Sequence, residues 1–116
     1  MRYVFALLAC LAGPAFADDP VVEAATISMS GQTATISVTI RHGDTGWDHY
    51  ADGWAVLAPD GTQLGYRKLL HPHENEQPFT RSLSGVAIPA GIDHVLIRAN
   101  DNVTGPAADT YRLNLR

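Results

Sequence analysis

Cysteine is nearly absent from this chain, and the single thiol, Cys10, falls inside the first apolar stretch. A polypeptide that starts after that stretch can form no disulfide and offers no thiolate to a metal or a substrate. Its stability must come from packing. Long apolar runs are missing too: residues 3–11 are too short to span a bilayer and no later run approaches that length. Positive charge is scarce, with eight Lys and Arg against twelve Asp and Glu. The arginines are scattered, which excludes the basic footprint that phosphate-backbone binding requires. The sequence contains no G-x-S-x-G elbow, no H-E-x-x-H pair and no phosphate-binding glycine loop. These gaps argue for a non-enzymatic protein that does not bind nucleic acid.

What is present begins with an export signal. Met1-Arg2, the apolar stretch and the small-residue triplet Ala15-Phe16-Ala17 have the order of a cleaved signal peptide over 1–17. Leu7-Leu8-Ala9-Cys10 loosely resembles a lipoprotein processing site, but the apolar stretch before it is very short and the Ala15–Ala17 triplet is better placed. The expectation is a periplasmic or secreted domain over 18–116 with no membrane span. Removing Arg2 leaves seven basic residues against twelve acidic, a net charge of −5.

The rest of the chain is written in strands. Ala34, Ile36, Val38 and Ile40 alternate with Thr35, Ser37, Thr39 and Arg41, the period of a strand with one wet face. Similar stretches at 25–29, 54–58, 64–70, 79–88, 95–99 and 111–115 are separated by turn residues such as Pro59-Asp60-Gly61. The apolar parity slips between Leu83 and Val86, which calls for a bulge at Gly85. Seven strands without helical periodicity predict an all-β, seven-stranded immunoglobulin-like antiparallel β-sandwich, with Trp54 buried on the third strand.

In that topology the connections at 42–50, 71–78 and 100–106 emerge at one end. They are long and carry the chemistry, as recognition loops on rigid scaffolds do. His71-Pro72-His73 is the sharpest feature: proline extends the residue before it, and positions two apart then share a side. With His42 and His49 the pair supplies four imidazoles, a donor set suited to copper or zinc rather than calcium. Asp44, Glu74 and Glu76 are candidates for supporting such ligands. Asp44, Asp48 and Asp52 stand four apart, which does not match the alternate-oxygen spacing of an EF-hand calcium loop. His94 is expected at the far end, in a structural role. Asn102-Val103-Thr104 forms an N-glycosylation sequon, relevant only to a eukaryotic secretory route.

Residues 42–52, His-Gly-Asp-Thr-Gly-Trp-Asp-His-Tyr-Ala-Asp, and residues 71–82, which open on His71-Pro72-His73-Glu74, resemble segments of small uncharacterised secreted β-sandwich proteins of Gram-negative bacteria. That resemblance implies a periplasmic location and carries no activity, substrate or ligand. Three readings stay open at this point. The histidine loops hold a metal ion; or Trp47, Tyr50 and the acidic loop residues anchor an extracytoplasmic protein or glycan partner; or the loops are purely structural, with Trp47 and Tyr50 plugging the core and the histidines tying one loop to the next.

Overall fold

The computed structural model describes residues 19–115. The expected signal peptide and cleavage site, and Cys10, lie outside the described residues. Eight strands are present: β1 (Val21–Ser30), β2 (Thr33–Arg41), β3 (Ala51–Leu57), β4 (Gln63–Lys68), β5 (Phe79–Ala87), β6 (His94–Asp101), β7 (Gly105–Pro106) and β8 (Tyr111–Asn114). All pairings are antiparallel and form two sheets, β1-β2-β5 and β4-β3-β6, the second extended by β7 and β8 on the free side of β6. Seven strands were expected. The eighth, β7, is a two-residue ladder inside the connection expected at 100–106, pairing Asp101 with Gly105. The fourth strand returns beside the third, as the Pro59-Asp60-Gly61 turn implies, and so belongs to the β3-β6 sheet. A constant-type immunoglobulin arrangement would place it on the other sheet.

Alternation decides which side chains form the core. On β2, Ala34, Ile36, Val38 and Ile40 are buried while Thr33, Thr35 and Arg41 are exposed. They meet Phe79 and Val86 of β5 on their own sheet and Trp54, Val56, Val95 and Ile97 of the facing sheet. A fully buried side chain of this size contributes about 1.5–3 kcal/mol, and this burial does the work disulfides do in smaller exported domains. Trp54 is completely buried, although its indole N–H finds no acceptor.

The bulge falls where the parity slip requires it. Ala34 pairs with Val86 and Ile36 with Leu83, so β5 carries one more residue than β2 across this step, and Gly85 takes a positive φ of 71°. On the outer face, Ser37 bonds Ser82 (2.6 Å) and Thr39 bonds Thr80 (2.7 Å), holding the register across the sheet. Gly53 has a different role: a Cβ there would run into the Tyr66 ring lying over it from β4.

Register also fixes which loops are neighbours. Ile40 pairs with Phe79, Ala51 with Asp101 and Gly53 with Lys68. The end of β2, both ends of the 69–78 connection and the end of β6 therefore converge on one edge of the sandwich.

Candidate functional site

Two inward rows of the core end in polar residues. On β2 the row Ala34, Ile36, Val38, Ile40 continues by parity to His42, and on β6 the row Val95, Ile97, Ala99 continues to Asp101. Both terminal residues are buried, His42 at 4% exposure and Asp101 at 0%. A buried polar group needs partners, and each has them.

Asp101 divides its oxygens. Oδ1 accepts the backbone N–H groups of Val103 (2.7 Å) and Thr104 (3.1 Å), the turn that leads into β7. Oδ2 lies 2.6 Å from His49 Nε2 and 2.8 Å from His42 Nε2. Burial works against the charged carboxylate, but the two N–H donors and His49 outweigh it and hold the group below the usual range.

Asp44 is the second hub. Its Oδ1 is 2.6 Å from His42 Nδ1 and accepts the Ala51 N–H at 3.0 Å, while Oδ2 accepts the His73 N–H at 2.7 Å. His42 thus presents both ring nitrogens to carboxylate oxygens. A neutral imidazole has one N–H, so it can donate to only one of these two carboxylates. The loop at 42–50 is closed by a turn in which Thr45 N–H bonds His49 O and His49 N–H bonds Gly46 O. Asn102 fastens it to β6, accepting the Tyr50 N–H at 2.8 Å and donating to Trp47 O at 3.2 Å.

Among the described residues, the cluster of potential metal-binding side chains is His42, His49 and Asp101, whose ligand atoms lie within 4.8 Å of one another. Two imidazoles and a carboxylate suit zinc, iron(II) or copper(II). The set fits an ion, with Asp44 on His42 Nδ1 as the carboxylate that commonly orients a metal-binding histidine. The present spacings of 2.6 and 2.8 Å are hydrogen-bonding distances. Tetrahedral zinc with bonds of about 2.0–2.1 Å separates its ligand atoms by roughly 3.3 Å, so the triad must open by about half an ångström to hold one.

The four predicted histidines separate into two groups. His42 and His49 come together, their ring centroids 5.0 Å apart. His73 lies beyond Asp44, stacked on Phe79 at 3.9 Å, with Nε2 3.0 Å from Arg81 Nη2. Arginine only donates, so Nε2 accepts and the proton of the neutral ring sits on Nδ1. That atom is buried, with no hydrogen-bond partner and 3.9 Å from Asp44 Oδ2. Burial, then the charges of Arg81 and His71, hold His73 below the usual imidazole range. His71 is exposed and packs its ring 4.6 Å from that of His73. Glu74 and Glu76 are exposed, Glu76 paired with Arg81. His94 pairs with Asp93 at the opposite end.

Three participants are missing from the sequence-based expectation. Asp101 falls there within the 100–106 connection with no role of its own, although its inward parity with Val95, Ile97 and Ala99 is an available signal. Gln77, which accepts the His42 N–H and donates to His73 O, and Arg81 give no such signal, because their roles depend on the approach of two loops. Trp47 is 66% exposed and meets Tyr50 edge-on at 5.6 Å. It does not plug the core.

No family model matches the chain, and no solved structure matches it. The chain is similar to a protein of the archaeon Halomicrobium mukohataei named "Putative lipoprotein", with 41% identity over 85 residues, 73% of this chain and 41% of that protein. The chain therefore spans about two fifths of that relative's length. An archaeal relative lends no support to a Gram-negative origin. Among the described residues, no helix is long and apolar enough to cross a membrane.

Proposed function

We propose that this is an exported, non-enzymatic binding module that holds a zinc or copper(II) ion between His42 Nε2, His49 Nε2 and Asp101 Oδ2. The observation that carries the reading is the placement of both His42 ring nitrogens against carboxylates at the buried end of the core. A divalent ion at Nε2 would relieve this arrangement and leave Nδ1 to donate to Asp44. The signal-peptide pattern and the name of the archaeal relative support an extracytoplasmic location. His71 and His73 are not ligands in this reading, because one is exposed and the other is engaged by Arg81.

The test is isothermal titration of the purified, tag-free protein with zinc and copper(II) at neutral pH, alongside His49→Ala and His71→Ala. Stoichiometric binding at micromolar affinity or tighter is expected, lost in His49→Ala and kept in His71→Ala. No heat and no thermal stabilisation with either ion would leave the cluster as a tie between loops.

A second reading rests on Trp47. An indole two-thirds exposed at a loop tip, braced by Tyr50, has the character of a partner-binding anchor for a protein or glycan. Trp47→Ala would then abolish capture of that partner and leave metal binding untouched.

A further inference from the structure

The His42, His49 and Asp101 triad leaves a coordination sphere incomplete, and its surroundings decide what completes it. Structural zinc sites close with four protein ligands, whereas three-ligand sites keep a position for an outside molecule. The buried donors beside it are already committed. Asp101 Oδ1 holds two backbone N–H groups, which keeps the carboxylate monodentate. Both oxygens of Asp44 accept backbone N–H groups, and one of them also meets His42 Nδ1. His73 Nε2 faces Arg81. His42 and Asp101 have side-chain exposures of 1% and 0%, while that of His49 is 23%. The remaining position therefore opens past the His49 ring.

Charge selects the class of ligand. A divalent ion with the Asp101 carboxylate carries one net positive charge, and the buried Asp44 carboxylate beside His42 cancels it. A neutral centre in a partly buried setting gains little from an anion, which would have to shed water to reach it. We infer that the metal-loaded centre keeps one position open past His49 and that this position takes a neutral nitrogen donor, an imidazole, in preference to an anion. A histidine side chain of another polypeptide is a donor of that class. This rests on the metal-binding reading above.

Cobalt(II) is the probe, because its visible spectrum reports both the identity and the number of its ligands. The full protein is loaded with one equivalent of cobalt(II) and titrated separately with imidazole and with azide. A saturable spectral shift with imidazole, none with azide at equal concentration, and the same behaviour in His71→Ala are expected. Stoichiometric cobalt binding with no imidazole response would show the position to be closed and overturn this inference while leaving the metal site intact. An azide shift stronger than the imidazole shift would overturn the charge argument. Conversion to the spectrum of free cobalt–imidazole complexes would show stripping rather than a shared ion and would also overturn it. An imidazole response that appears only in His71→Ala would identify the exposed His71 as the missing ligand and would overturn the open position as well. Failure of cobalt to bind at all would remove the metal reading itself, and the inference with it.

Discussion

Replacing Asp101 by alanine removes the acceptor on which two imidazoles and one turn converge, which makes it the most informative single change. The Val103 and Thr104 N–H groups belong to exposed residues and can turn to water, so their loss is modest. The His42 side chain is 1% exposed and cannot. Breaking a buried pair by removing one partner costs about 3–5 kcal/mol. Against the roughly 5–15 kcal/mol that holds a domain of this size together, that is a large share. Urea unfolding at pH 7 should show this loss in Asp101→Ala. Because the folded carboxyl is held below its usual value, its contribution is present above the unfolded pKa of about 3.9 and fades as pH falls through the lower folded value. The gap between wild type and variant should therefore close in strong acid. Asp101→Asn separates stability from metal binding. It keeps Oδ1 for the turn and can offer an amide N–H to each imidazole, so it should cost less than alanine while abolishing ion binding. A cost below about 1 kcal/mol for Asp101→Ala at pH 7 would refute the claim that this cluster is an ionic, buried network.

Other expectations follow from the same geometry. Asp44→Asn should weaken zinc or copper affinity by roughly 10–100-fold with one-to-one stoichiometry preserved, as read by titration calorimetry. His73 is held below the usual imidazole range, so the stability it contributes is full above about pH 6.5 and lost as pH falls through its lower folded value; His73→Gln should flatten that part of a urea-derived stability profile. Ion affinity should fall as pH drops through the histidine range, because protons compete for the same nitrogens, and pH-independent binding between pH 5 and 8 would be inconsistent with histidine ligation. Trp47→Ala should change unfolding free energy by no more than about 0.5 kcal/mol, given the exposure of its side chain, and a larger loss would return Trp47 to a packing role.

Much of the scaffold was legible from alternation. The inward row of β2, the return of β4 beside β3 and the bulge at Gly85 each follow from a period of two and its interruption, because a strand's side chains must choose between core and solvent. The convergence of the 42–50 and 71–78 connections was legible as well, since it depends only on strand direction. The two-residue β7 and the sheet membership of the fourth strand needed the structure, as both depend on pairing partners rather than on local pattern.

The site divides along the same line. The sequence alone determined that the stretch after Cys10, which holds no other cysteine, would rely on packing, and that its imidazoles and carboxylates would gather on loops at one end. It could not determine which imidazoles would meet. His71 and His73 share an extended dipeptide spacing, yet the ring of His73 turns to stack on Phe79 and accept from Arg81, contacts made across two elements. His42 and His49 sit in one loop, and they converge only because Asp101, 52 residues beyond His49, arrives at the end of a neighbouring inward row. Local pattern sets the side of a strand on which a residue lies. The distance between two ligand atoms is set by register between strands and by the closure of loops, and these are properties of the assembled sandwich.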